Sequence, residues 1–340
     1  MIHESGSVAD STATTDRVVN ADLLEPGSSR GGVGVAGSAG QTVVLAVDIG
    51  GTKLAAALVD GSGTILLRST APTPPSGDAE RVFGALAVVI DQVRDRADPV
   101  GCGVGCGGPM SAGGETVSPL NIASWRRFPL RRRLQDLLGL PVAVDNDAKA
   151  LALGEGWQGA ARGVPNYLAM VVSTGVGGGI VLDGGLLDGG HGNAGHIGHV
   201  VVEPEGRPCV CGGRGCLEAE ASGPAIEALT GRPAAEAPSE VRRRTGTLVG
   251  RAVASVANLL DLDLAVVAGS VALGFGEPFF IAAQEEIALR ARLDFSRTTR
   301  IVPAGLGSSG PLVGAAAVGF RASPARPSPA VAADDPAVVR

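Results

Sequence analysis

Apolar residues arrive along this chain in short bursts, and the polar residues and glycines between them mark out the elements. TVVLAVD (42–48) is an apolar run that ends in IGGTK, which predicts a strand delivered into a glycine turn. LAAALVD (54–60) and TILLRST (64–70), joined by GSG, predict a hairpin. DAERVFGALAVVIDQVRDR (78–96) carries apolar residues at helical spacing behind a capping Asp78. PVGCGVGCGG (99–108) reads as a strand running into a glycine loop, and FPLRRRLQDLLG (128–139) as a helix stopped by Gly139. PVAVDND (141–147) is a strand and AKALALGEGW (148–157) the helix after it. YLAMVVSTGVGGGIVLDGG (167–185) predicts strand, glycine turn, strand. Further helices are expected over 239–260, 277–290 and 311–320, with a buried strand and loop at 262–270.

Strands that alternate with helices place the chain in the α/β class. Residues 1–41 and 322–340 lack periodicity and are expected to be disordered tails, leaving a folded part over about 42–321. No repeat of solenoid period is present. DIGGTK and STGVGGG nevertheless both follow an apolar strand, as two related lobes offering glycine turns to a shared ligand would.

Composition narrows the choices. At 340 residues, two domains are expected. The chain is 45% hydrophobic but 3% aromatic, so its core must be aliphatic. A net charge of −6 argues against a nucleic-acid face. No apolar run approaches the roughly 20 residues of a membrane span, and the N-terminus lacks the basic and apolar regions of a secretory signal. A cytoplasmic location is expected, where clustered cysteines more often bind metal than pair.

Three strand ends carry glycine. In Asp48-Ile49-Gly50-Gly51-Thr52-Lys53 the backbone N–H groups are available to an anion, Asp48 would hold magnesium, and Thr52 and Lys53 add a hydroxyl and a charge. Alone, that turn is equally a plain hairpin. Thr174, Gly175, Gly177 and Gly178 repeat the arrangement, and Gly269 ends a third strand. Taken together, the three favour a nucleotide. None matches the Walker pattern.

His199, Cys209, Cys211 and Cys216 form H-x9-C-x-C-x4-C, a donor set suited to a closed tetrahedral zinc. Unpaired buried cysteines or a disulfide are the alternatives. Cys102 and Cys106 read as small buried hydrophobes and Lys149 as a solvated surface residue. Asp145-Asn146-Asp147, ahead of a helix, reads on its own as a capping segment.

In their order, D-I-G-G-T-K, D-N-D-A, S-T-G-V-G-G-G and G-H-x9-C-x-C-x4-C-x-E resemble the family of bacterial repressors, open reading frames and sugar kinases known as ROK, over about 42–320. The resemblance implies an actin-like (ribonuclease H-like) two-domain ATPase fold with an interdomain cleft. One lobe would be 42–147 plus 310–321, and the other 148–309 with the zinc loop 199–216. It implies magnesium-ATP, a structural zinc, a small-molecule sugar partner phosphorylated at its C6 hydroxyl, and a homodimer. The family's catalytic base falls on Asp147. Its sugar contacts fall on Gly107, Gly108, Asn121, Asn146, His199 and Glu218, although Asn121 alone reads as a loop cap and Glu218 as a solvated carboxylate.

One position departs from most of the family's kinases. Where they carry G-E-x-G-H, this chain has Gly195-His196-Ile197-Gly198-His199. A neutral His both donates and accepts, which a carboxylate does not. The family's N-acetylmannosamine kinases, which serve sialic acid breakdown, resemble this chain here, so N-acetylmannosamine is expected ahead of glucose or N-acetylglucosamine. Alternatively, His196 merely packs behind His199. The family's sugar-sensing repressors add an N-terminal winged helix-turn-helix, for which residues 1–41 are short and lack an apolar helical pattern.

Overall fold

The computed structural model describes residues 42–75 and 77–323, so the tail expected over 1–41, and the tail expected over 322–340 from residue 324 onward, lie outside the described residues. Strands β1 (Val43–Ile49), β2 (Lys53–Asp60) and β3 (Ile65–Pro72) form an antiparallel meander. The turn between β2 and β3 closes on Asp60, whose Oδ1 accepts from Ser62 N (2.8 Å) and Thr64 N (3.0 Å). Helix α1 (Ala79–Arg94) starts as expected at Asp78, which accepts from Glu80 N. Strand β4 (Cys102–Cys106), helix α2 (Leu130–Leu138) and strand β5 (Val142–Asn146) complete a five-stranded sheet in the order β3-β2-β1-β4-β5. Gly139 takes the left-handed conformation that ends α2.

Helix α3 (Asp147–Gln158) leads to β6 (Tyr167–Val172), β7 (Val176–Leu182) and the two-residue β8 (Gly185–Leu186). Helices α4 (Leu217–Ala221), α5 (Gly223–Thr230) and α6 (Ser239–Leu260) precede β9 (Leu264–Ala268). Helices α7 (Ser270–Phe275) and α8 (Glu277–Arg290), strand β10 (Arg300–Pro303) and helix α9 (Gly310–Ala322) follow. The second sheet runs β10-β9-β6-β7-β8. Read from its other edge, β8-β7-β6-β9-β10, it repeats the first sheet strand for strand. The duplication suspected from the two glycine turns is therefore a duplication of topology.

Apolar clusters lie on both faces of each sheet. Val47, Leu54 and Val104 pack with α1 and α2, while Ala46, Val44 and Ala57 pack against Leu312, Ala316 and Phe320 of α9. In the second sheet, Met170, Val172 and Val267 meet α6 to α8, and Ala169 and Val266 meet Leu151 and Ala152 of α3. The core is aliphatic, as the composition required.

Helices α3 and α9 lie between the sheets in backbone contact. A β-carbon on Gly314 would fall 2.5 Å from Ala150 O, and one on Gly103 would fall 2.0 Å from Ala315 O. Buried Glu155 binds the same junction: its carboxylate accepts from Ala160 N (2.7 Å), Gly305 N (3.0 Å) and Leu306 N (3.1 Å).

Sequence patterning missed α4, α5, α7, β8 and β10, all of eight residues or fewer. It placed Asp147 at a strand end, where it opens α3, and ended the last helix before Ala322, which lies within α9.

Gly103→Ala is expected to destabilise by about 3 kcal/mol, because backbone rather than a flexible side chain blocks the new methyl. Gly84→Ala, facing open space on α1, should instead stabilise by about 0.5–1 kcal/mol. Urea denaturation of both variants measures the contrast.

Candidate active site

The parallel register of β1, β4 and β5 sets Asp48 beside Gly105 and Gly105 beside Asp145, at the ends of the strands where α3 begins. Gly105 has no side chain, and the space above it is shared by acids. A β-carbon there would lie 3.9 Å from Asp48 Oδ1 and 3.8 Å from Asp147 Cα. Gly107 and Gly108, directly after β4, face Asp147 Oδ2 and Asn146 Nδ2 respectively. Asn146 caps α3 by accepting from Ala148 N at 3.0 Å, and Asp147 Oδ1 accepts from the same N–H at 2.8 Å. Cap and candidate base thus occupy the same helix start.

Two carboxylates share this recess, and both are harder to ionise there than in water. Burial raises Asp48 to about 7, the charge of Asp147 adds to that rise, and Lys53 opposes it. Asp147 meets solvent on its open side but is crowded by protein elsewhere, and this desolvation raises its pKa against the pull of the backbone N–H groups at the start of α3.

The glycine turns frame this recess. Gly50, Gly51 and Thr52 form the β1–β2 turn, closed by Gly50 N donating to Lys53 O at 2.9 Å, and Lys53 opens β2. The turn presses on Asn121, whose Cβ would lie 2.5 Å from a β-carbon on Gly51. Exposed Asn121 therefore stands beside this turn. Across the recess, Thr174 and Gly175 form the β6–β7 turn, while Gly177 and Gly178 pair within β7 with Val171 and Met170. Gly269 has φ +102 and precedes α7. Patterning missed two residues that join these loops. Ser173 Oγ lies 2.9 Å from Ser270 Oγ, and Gly223 N donates to Ser173 O at 2.7 Å.

His196 lies within electrostatic reach of both Asp147 and Glu218. Burial and the neighbouring His199 lower the His196 pKa, so its ring is neutral at neutral pH and offers one donor and one acceptor. Glu218 is half-buried rather than solvated, because its Oε2 accepts from Val176 N at 2.9 Å. Glu218 is thereby attached to the β6–β7 turn.

His199, Cys209, Cys211 and Cys216 converge, their ligand atoms all within 4.8 Å of one another. Cys209 Sγ lies 3.7 Å from His199 Nδ1, and Cys211 Sγ lies 3.7 Å from Cys216 Sγ. Sulfur ligands about 2.3 Å from a tetrahedral zinc stand about 3.7–3.8 Å apart, so the cluster fits that ion. All five cysteines are free thiols, which removes the disulfide alternative, and Cys102 and Cys106 are buried in the core as expected.

Lys149 corrects an expectation. It is buried, not solvated, and its ammonium lies 2.9 Å from Asp145 Oδ1 and 2.7 Å from Asp188 Oδ1. Helical phase alone did not expose this, since the partner Asp188 is distant in sequence.

The raised Asp48 pKa is a folded-state penalty on the ionised form. Its stabilising effect is complete below the ordinary value of 3.8 and is lost as pH rises through about 7. Asp48→Asn is therefore expected to raise stability by a few kcal/mol at pH 8, with the gain shrinking towards pH 5. Thermal melts of both proteins across that range check the sign.

No helix of the described residues is long and apolar enough to cross a membrane. The N-acetylmannosamine kinase of Citrobacter koseri is 40% identical over 250 residues, covering 68% of this chain and 84% of that protein. The structure of a ROK family glucokinase from Streptomyces griseus, in complex with glucose and AMPPNP, aligns with a TM-score of 0.72 at 30% identity, covering 82% of this chain and 99% of that one. A ROK family transcriptional regulator, a homologue of the E. coli MLC protein, aligns at 0.70 and 26% identity, covering 81% of this chain and 77% of that one. The ROK family model matches residues 44–321, and with two α/β sheets in the actin-like arrangement of the ROK sugar kinases, the chain belongs to the ROK family.

Proposed function

We propose that this chain transfers the γ-phosphoryl group of ATP to the C6 hydroxyl of N-acetylmannosamine, with Asp147 as general base. The observation that carries the reading is the Asp48–Asp147 recess, walled by glycine turns from both sheets and faced by a neutral His196. The N-acetylmannosamine kinase similarity at 40% identity supports the choice of sugar. In this reading the two sheets, with α9 on the first, are two lobes around the cleft.

Asp147 receives the C6 proton as the oxygen attacks phosphorus in line, and no covalent enzyme intermediate is needed. Its raised pKa makes it a stronger base, and the start of α3 holds it rigidly. Asn146, Gly107 and Gly108 border the sugar beside it, with His196 and Glu218 opposite. The β1–β2 and β6–β7 turns supply N–H groups to the phosphates, and the Ser173–Ser270 loops lie on the nucleotide side. Asp48 would hold magnesium, which supplies charge neutralisation to the phosphates when bound.

His199, Cys209, Cys211 and Cys216 would hold a structural zinc. The cluster leaves no ligand position open for chemistry. Its effect is positional, because His199 lies three residues from His196 and Cys216 two residues from Glu218. One zinc per chain is expected by elemental analysis, and stripping it should raise the sugar KM far more than the ATP KM.

A coupled ADP-release assay with magnesium-ATP and N-acetylmannosamine, N-acetylglucosamine, glucose or mannose tests the function. N-acetylmannosamine should be preferred, and Asp147→Asn should lower kcat by about 10²–10⁴-fold. His196→Glu should shift the kcat/KM ratio towards glucose by about tenfold. Unchanged ratios would remove the argument from His196, and no turnover on any sugar would favour a sensing role.

A further inference from the structure

The second of the chain's two lysines has no part in this chemistry, yet it is among the most enclosed charges in the structure. Lys149 is 3% exposed and two residues along α3 from Asp147. Its Nζ reaches Asp145 Oδ1 at the end of β5 (2.9 Å), Asp188 Oδ1 (2.7 Å) and Gly192 O (3.3 Å). Of these three acceptors, Asp188 Oδ1 and Gly192 O take hydrogen bonds from the ammonium, while the Asp145 carboxylate pairs with it as an ion.

Two of the three acceptors belong to residues 187–195, the segment that ends at His196. Its neck closes through Ala194 N donating to Asp188 O at 3.0 Å, and Asn193 Nδ2 reaches across to Met110 O at 3.4 Å. Residues 188–191 are exposed, and Gly189, Gly190, Gly192 and Gly195 contribute no side chains. A cavity of about 310 Å³ lies against the segment, lined by Met110, Val144, Asp145, Lys149 and Asp188 among others. Leu187 anchors the start of the segment against the core of the second sheet; beyond it, residues 188–195 are tied by polar contacts, and Lys149 makes the central one.

We propose that Lys149 is a positioning residue for the sugar site, holding the 187–195 segment to the start of α3 and thereby fixing His196 relative to Asp147. The proposal rests on the sugar-kinase reading for its consequence but not for its geometry. The nucleotide turns lie outside the tied segment, so loosening it loosens sugar and leaves nucleotide binding intact.

Lys149→Met keeps the stem and removes the charge. Hydrogen–deuterium exchange on the full-length, sugar-free protein should show faster exchange over 187–196, by about tenfold, with β6 and β7 unchanged. With the hexose the wild-type enzyme uses best, the sugar KM should rise about tenfold while kcat and the ATP KM change less than about twofold. Lys149→Arg should restore part of the loss. Asp188→Asn should act in the same direction, and the double variant should be no worse than Lys149→Met alone, because both remove one pair. Unchanged exchange over 187–196, or an equal loss in kcat and both KM values, would overturn the proposal. If Lys149→Met does not fold, Asp188→Asn carries the same test from an exposed position. Exchange needs no substrate, so failure of the kinase reading is distinguishable from failure of this one.

Discussion

The architecture depends on how closely α3 and α9 approach between the two sheets. Gly314 meets the backbone of α3 with no side chain between them, and Gly103 lets α9 lie as closely on β4. Larger residues would force the helices apart and carry the second sheet with them. Glu155 strengthens the same junction by giving its carboxylate to three backbone N–H groups, two of them on the approach to α9. A buried charge of that kind is tolerable only because its acceptor positions are filled. The catalytic geometry follows, since α3 opens with Asp147. Seating this helix places the candidate base where the ends of β1, β4 and β5 meet the glycine turn of the second sheet.

The recess so formed is held in electrostatic tension. Burial raises the cost of ionising both Asp48 and Asp147, and the charge of Asp147 adds to that of Asp48. Folding alone would favour an amide or an apolar residue at Asp48. A kinase site has the opposite need, because a magnesium ion and a polyphosphate require concentrated negative and positive groups to meet. Stability is given up locally to keep the carboxylates available, and the aliphatic cores on both faces of each sheet offset the loss.

Much of this was legible in the chain because it is local. Apolar runs ended by glycine announced β1, β4, β6 and β9, and the capping residues Asp78 and Gly139 fixed helix ends. The four candidate metal ligands declared themselves by spacing within residues 199–216, and their side chains converge. What escaped was short or depended on distant partners. β10 is an edge strand of four residues, and α4, α5 and α7 are too brief to show a period. Lys149 looked like any helical lysine because Asp188, one of the two carboxylates that bind its ammonium, lies beyond three strands. Glu218 looked solvated because the Val176 N–H that holds it belongs to another sheet strand. Tertiary partners of this kind leave no mark on local composition.

The glycine that makes the site also makes it loose. The glycine turns, and a segment over 187–195 whose apolar anchor on the core is Leu187 at its start, carry a large entropic cost on ordering. The chain meets that cost with polar clamps on either side of His196. Upstream, Lys149 draws Asp188 and Gly192 to α3. Downstream, the His199 and cysteine cluster gathers the loop that returns to Glu218, whose carboxylate in turn holds the β6–β7 turn. His196 is thus constrained from both directions, and the second constraint reaches the β6–β7 turn through one hydrogen bond.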